Sequence, residues 1–301
     1  MSEEKKQLER YQRDLEILGQ YDKEDRVISS HEARELAEAD KKIPNIQTDI
    51  KELDDIIGGF REGQLVIISG PTGQGKTTWC QTLTSRFANQ KINCLWFSYE
   101  VGITDFLEKF EGTPLFYLPK EMKQNSLIWL EDRIMESMAK YDCKIVFIDH
   151  LHYLLEMQKM AEAHSISLLI GMMMRELKKM AIRHEITIFL VSHMRKAHYD
   201  KMPDVDDLRD SSFVGQEADI VMFMKRGGKK DSKEEALKNK KATLRIAKNR
   251  RTGNLDDISL ELINKQFRTQ SEIDRNHVDT NTPTSYKEDE GHREQTFGYE
   301  I

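Results

Sequence analysis

The sequence predicts an α/β protein built on a mainly parallel sheet flanked by helices, and three observations predict it. Six short apolar runs, "LVIIS", "NCLWFS", "KIVFID", "ITIFLV", "DIVMFM" and "ATLRIA", alternate with amphipathic stretches from Gln64 onward. That is the texture of strands buried on both faces. The segment "SGPTGQGKTT" follows the first run and opens a helix-patterned stretch, so a strand–loop–helix unit is expected there. "KIVFIDHL" is an apolar run that ends in an acid, as a strand whose carboxyl end lines a ligand crevice would read.

A chain of 301 residues holds one large core with appendages. Residues 1–45 are charged and helical in pattern, with Leu8, Tyr11, Leu15 and Leu18 at steps of three and four. That spacing makes a narrow stripe on a polar helix. In "SSHEARELAEADKK", Ser29 and Glu32 have capping-box spacing, and Ala33, Leu36 and Ala37 share a face. Two readings of this arm stay open, a solvated leader and a docking arm for another subunit. The core is placed at 46–268. Within it "SLLIGMMMRELKKMAIRH" carries Leu169, Met172, Met173, Leu177 and Met180 at helical spacing, read as core packing rather than a metal or cofactor box. "KRGGKKDSKEEALKNK" reads as a charged excursion between two strands. Residues 269–301 are polar, acidic and without periodicity, so a disordered tail is expected.

Net charge is −6, with 46 basic and 52 acidic residues, which leaves nucleic-acid contact to local basic segments. Cys80, Cys94 and Cys143 lie in apolar stretches without CxxC spacing. They read as core residues of a reducing compartment, not as a disulfide framework or zinc site. The N-terminus has no apolar leader pattern, and no run approaches the roughly 18 apolar residues of a membrane span. A cytoplasmic protein with no membrane partner is the expectation.

Gly70 to Thr77 fits GxxxxGK[ST], and Gly70, Pro71, Thr72, Gly73, Gln74, Gly75, Lys76, Thr77 and Thr78 form the expected phosphate cradle. Glycines let backbone N–H groups turn inward, Lys76 reaches the terminal phosphates and the Thr77 hydroxyl can ligate Mg²⁺. Asp149 is the expected acidic partner of the metal. Glu100, ending "LWFSYE", would point at attacking water if its strand lay beside the first. His193, at the tip of "TIFLVSH", is the candidate for sensing the γ-phosphate and passing the difference to the loop it anchors. The burst of cations in "RIAKNRRTGN" must face a nucleic-acid backbone, a nucleotide or water.

Together "GPTGQGKTT", "NCLWFSYEV", "VFIDHLHYLL", "FLVSHMRKA", "QEADIVMFMKR" and "IAKNRRTGN" resemble the RecA-like hexameric helicases of the DnaB type, over about residues 45–268. Histidine rather than glutamine at 193 leans toward the Twinkle and phage primase-helicase branch. The resemblance implies a RecA-like P-loop NTPase core binding ATP and Mg²⁺. It implies Lys76 and Thr77 as the Walker A pair, Glu100 as the catalytic glutamate, Asp149 as the Walker B aspartate and His193 as the sensor. Lys248 and Arg250 match a Lys-x-Arg pair that enters the neighbouring subunit's ATP site, with Arg250 as an arginine finger. Arg251 is left to a basic hairpin facing solvent or phosphate.

The family's DNA contacts come from channel loops, here "HYLLEMQKMAEAHS" and "RKAHYDKMPDVDDLRDSSFVG", with Arg195, Lys196, Lys201 and Arg209 as candidate contacts to single-stranded DNA. A homo-oligomer, a hexamer by resemblance, is implied. Polymerase, primase and single-strand-binding protein are candidate partners, the acidic tail being one candidate contact. Priming itself is not expected, since some 45 residues precede the core. The leading expectation is an ATP-driven ring helicase that translocates on single-stranded DNA and unwinds duplex DNA in replication. The alternatives are a RecA-, RadA- or KaiC-like recombination or regulatory ATPase, and a nucleotide-switched loader that does not unwind.

Overall fold

The computed structural model describes residues 26–40, 45–122, 127–150, 166–194, 202–208, 215–227 and 239–280, together with 5, 7 and 9–14. The chain divides into Met1–Asn45 and Ile46–Ile301. In the first unit, helix α1 (Ser30–Asp40) starts where Ser29 and Glu32 place it. The Ser29 hydroxyl accepts the Glu32 N–H at 3.1 Å, while the Glu32 carboxylate turns to Arg26 instead of closing the reciprocal half of a capping box. Tyr11 and Leu36 are exposed.

The second unit carries one eight-stranded sheet in the order β2-β3-β4-β1-β5-β6-β7-β8. All six apolar runs are strands: β1 (Leu65–Ser69), β2 (Cys94–Ser98), β3 (Ile145–Asp149), β4 (Thr187–Val191), β5 (Ile220–Arg226) and β6 (Lys241–Asn249). From β2 to β5 the pairing is parallel; β6, β7 (Asp257–Ile263) and β8 (Gln266–Thr269) extend it antiparallel. The last hairpin turns on Asn264 and Lys265, both at positive φ (48° and 67°), the twist a two-residue hairpin loop needs.

Alternate residues of each parallel strand enter different cores because side chains switch faces with period two. Val66 and Ile68 face one core, Leu65 and Ile67 the other. The first is roofed by α2 (Lys51–Ile57), by α3 (Lys76–Asn89) through Trp79, Cys80, Leu83 and Phe87, and by Phe106 of the short helix α4 (Ile103–Leu107). The second is covered by α5 (Leu127–Tyr141) through Leu130 and Ile134, and by α6 (Ile166–Arg183) through Ile170, Met173, Met174, Leu177 and Met180.

Two expectations need correcting here. Leu169 packs against the second core while only partly buried, but Met172 is 57% exposed, since each lies one position, about 100° of helix turn, before a residue of the buried face. Residues 270–280, expected to be disordered, form helix α7 (Gln270–Thr280). The Thr269 N–H donates to the Glu272 carboxylate at 2.9 Å, and that carboxylate also grips Arg86 of α3 at 2.5 Å in a largely buried pair. A cap and one ion pair thus hold a helix that has little apolar surface. The three cysteines are free and buried, as expected of core residues. No helix among the described residues is long and apolar enough to cross a membrane.

Candidate active site

Cross-strand register assembles the site. Ser98 pairs with Asp149, Asp149 with Val191, and Val191 with Ile68, so the carboxyl ends of β2, β3, β4 and β1 finish in one row. Every parallel strand therefore delivers its next residues to the same edge, the crevice position of an α/β sheet.

The loop from Gly70 to Gly75 leaves β1 there and ends at Lys76, the first residue of α3. Backbone crowding dictates its glycines. Gly70 has φ 144°, and a Cβ there would lie 2.3 Å from the Met224 carbonyl of β5; Gly75 has φ 93°, and a Cβ would meet the Phe267 ring of β8 at 2.8 Å. The Gln74 side chain is fully buried and accepts the Arg226 N–H at 2.6 Å, so it braces the loop against β5 while its backbone stays in the loop. Lys76 is 5% exposed and its ammonium donates to the Gly70 and Pro71 carbonyls at 3.0 Å. Burial lowers its pKa, while Asp149 and Glu100 oppose the shift.

Thr77 donates its hydroxyl to Asp149 Oδ2 at 2.6 Å. The other oxygen, Oδ1, is buried without a hydrogen-bond partner among the described residues. Burial pushes the Asp149 carboxyl up to about 6; the Thr77 hydrogen bond opposes this and the nearby Glu100 charge adds to it. A hydroxyl and a carboxylate with an unused oxygen are the hard donors Mg²⁺ takes, so the residues present fit that ion.

Glu100 reaches the site by a route other than the expected one. Its strand pairs with β3 rather than with β1, yet its carboxylate lies 4.0 Å from His150 Nδ1 and acts electrostatically on both Lys76 and Asp149. His193 follows β4 and meets the His150 ring edge-to-face, with centroids 4.4 Å apart. His150 thus links Glu100 to His193. The sequence pattern gives His150 no role of its own; its place directly after the strand-end acid is the one local signal. The next residue after His193, Met194, makes an antiparallel bridge with Leu208, which closes the base of the following loop.

The cations of "RIAKNRRTGN" separate by their partners. Arg245 pairs with Asp257 across β6 and β7 through two contacts of 2.7 Å. Arg251 turns inward onto the Ile57 and Gly59 carbonyls, correcting its assignment to a solvent-facing hairpin; it clamps the end of α2. Lys248 donates to the Gly215 carbonyl at 2.6 Å, and Arg250 to the Gln216 carbonyl at 2.5 Å, with Asp219 at 3.4 Å. These partners precede β5, and the Arg250 N–H bonds to Asp219 while Asp219 bonds back to Leu65. Arg250 is therefore level with the first residue of β1, about 13 Å below its last at roughly 3.3 Å per residue. The pair does not join its own chain's phosphate loop. Arg195, Lys196, Lys201 and Arg209 lie outside the described residues, as do most of both expected channel loops.

Residues 45–111 and 102–271 match the profile of the DnaB-like helicase C terminal domain. The chain belongs to that family. Among relatives, the replicative DNA helicase DnaB of Helicobacter pylori (strain J99) is 25% identical over 221 residues, covering 62% of this chain and 45% of its own length. The replicative DNA helicase DnaC of Bacillus subtilis is 23% identical over 277 residues, covering 80% and 59%. The chain thus spans about half the length of the curated relatives it matches. Two solved structures share the fold. One, an ATPase domain, gives a TM-score of 0.67 at 21% identity, over 82% of this chain and 99% of that one. A DnaB-like replicative helicase described with its interactions with primase gives 0.64 at 22%, over 82% and 68%. The expected DnaB-type kinship and RecA-like fold are borne out.

Proposed function

We propose that this member of the DnaB-like family is an ATP-driven helicase that translocates on single-stranded DNA and unwinds duplex DNA during replication. The observation that carries the reading is the Thr77–Asp149 contact at the mouth of the phosphate loop, with Glu100 and His193 arriving on neighbouring strand ends. Backbone N–H groups of Gly70–Thr78 would hold the phosphates and Lys76 would exchange its loop carbonyls for phosphate oxygens. Thr77 and Asp149 would hold Mg²⁺, which offsets phosphate charge when bound. Glu100 would orient and deprotonate attacking water. His193 would register the γ-phosphate and pass its movement through Met194 to the loop that carries Arg195, Lys196 and Lys201, with Arg209 on its return limb.

Lys248 and Arg250 support a trans role, because they lie at the far end of β5 from their own phosphate loop. A neighbour's nucleotide is the anion they would meet in a closed ring, which we take as a hexamer. Arg250 would then stabilise charge on the transferring phosphoryl group, making hydrolysis conditional on assembly. The exposed Leu36 face of α1 would dock on the next subunit. Primase, the partner named for the related helicase, is a candidate partner here, with polymerase and single-strand-binding protein; the site of action is the cytoplasm.

The test is ATP hydrolysis with and without single-stranded DNA, run beside forked-duplex unwinding, with Lys76→Ala as the blank. DNA-stimulated hydrolysis with unwinding is expected. Stimulation without unwinding, even with candidate partners supplied, would point to a recombination-type or loader ATPase and end the helicase reading.

A further inference from the structure

We propose that Glu100, His150 and His193 form a binding site for one divalent transition-metal ion, Zn²⁺ in the first instance, distinct from the Mg²⁺ position at Thr77 and Asp149. Among the described residues these three make up a group in which a carboxylate oxygen and two imidazole nitrogens all lie within 4.8 Å of one another. Two imidazoles and one carboxylate suit Zn²⁺, Co²⁺ and Fe²⁺, whereas Mg²⁺ prefers an all-oxygen shell.

The three ligands differ in freedom, and that difference lets the shell close. His150 follows β3 directly, with its side chain 11% exposed, so its ring is held by the sheet edge. Glu100 stands beyond the end of β2 with a 46% exposed side chain, free to swing through the distance that remains. His193, partly exposed after β4, meets His150 edge-to-face at an interplanar angle of 77°. Zinc–nitrogen bonds of about 2.0–2.1 Å set neighbouring ligand atoms roughly 3.3 Å apart, so the closure needed is of the order of 1 Å. The described cysteines are buried in the cores and offer no competing thiolate at this edge.

Occupation of this site would engage the Glu100 carboxylate and pin His193, arresting hydrolysis without displacing nucleotide. That consequence rests on the base and sensor roles given to those residues above; the binding itself does not. The experiment is a Co²⁺ titration of the full chain followed by visible absorption, with Zn²⁺ as competitor against a chromophoric chelator and excess Mg²⁺ throughout. One Co²⁺ per chain is expected, displaced by Zn²⁺ and unaffected by Mg²⁺. His150→Gln, His193→Gln and Glu100→Gln should each weaken binding by at least about tenfold, and Thr77→Ala should leave it intact. If the buried His150→Gln disturbs folding, seen by circular dichroism, the two more exposed positions carry the test. No binding, displacement by Mg²⁺, or unchanged affinity in His193→Gln and Glu100→Gln would overturn the site. Binding lost in those variants, combined with hydrolysis insensitive to Zn²⁺, would confirm the site and count against Glu100 as base.

Discussion

Asp219 and Arg250 meet at 3.4 Å at the end of β5 opposite the phosphate loop. Asp219 also accepts the Leu65 N–H at 2.8 Å and pairs with Lys178 at 2.6 Å, so it ties the start of β1 and α6 to the turn that carries Arg250. In the trans role proposed for Arg250, such a mount would matter, because a loosely held guanidinium would lose entropy at each encounter.

Arg250→Ala should lower the rate of ATP hydrolysis by about a thousandfold, the scale of an arginine finger, with nucleotide affinity changed only a few-fold. Stability should fall little, since the Arg250 side chain is half exposed and such pairs contribute at most about 1 kcal/mol. Mixed rings of Arg250→Ala and Lys76→Ala chains decide between cis and trans. Recovery of part of the activity is expected, and a mixture as inactive as each parent would rule out a finger supplied across the interface.

Asp149→Asn keeps the shape of a buried side chain and removes its charge. Fluorescent-nucleotide titrations with and without Mg²⁺ should show that the metal no longer strengthens binding, and that EDTA has no further effect. A variant as Mg²⁺-dependent as the parent would remove Asp149 from the metal shell.

Glu272→Ala should destabilise the second unit without touching chemistry. It leaves Arg86 without its partner and the Thr269 N–H uncapped, a loss on the order of 1–3 kcal/mol, or several degrees of Tm by roughly 2–4 °C per kcal/mol at this size. Below that Tm hydrolysis should equal that of the parent. A Tm identical to the parent's would mean that residues 270–280 do not pack on α3.

Gly75→Ala combines a left-handed backbone with a collision against Phe267. Chemical denaturation should show a loss of about 1–2 kcal/mol from the backbone alone, and more from the ring. Adding Phe267→Leu should recover the packing part while nucleotide affinity stays low, because φ is not repaired. Full recovery of binding in the double variant would show that the ring, not the backbone, sets the glycine requirement.

The parallel half of the sheet was legible because strands buried on both faces must be apolar along most of their length, and β1 to β5 are, with polar residues only at their ends. The strand "DISLELI" escaped notice because one face only is covered: Ile258 and Leu260 are buried while Asp257 and Ser259 between and beside them are exposed, an alternation rather than a run. Helix α7 escaped because its stability comes from a cap and Arg86, not from an apolar stripe; the Thr269-x-x-Glu272 spacing was its one local sign. His150 was overlooked because a histidine after a strand-end acid has no meaning until β2 and β4 bring Glu100 and His193 to it.

By itself the sequence determined the strand–loop–helix cradle, the acids and histidine at strand ends and the kinship with DnaB-type helicases. Those depend on local order along the chain: a glycine-rich turn, a hydrophobic period and residues at fixed offsets. The tertiary structure decided which strands are neighbours, and hence that Glu100 stands beside β3 and His150. It also decided that Arg251 is an internal clamp, and that Lys248 and Arg250 stand at the end of the sheet opposite the Gly70–Gly75 loop. Strand order and register are long-range choices, made by burying two cores at once, and spacing along the chain carries no direct record of them.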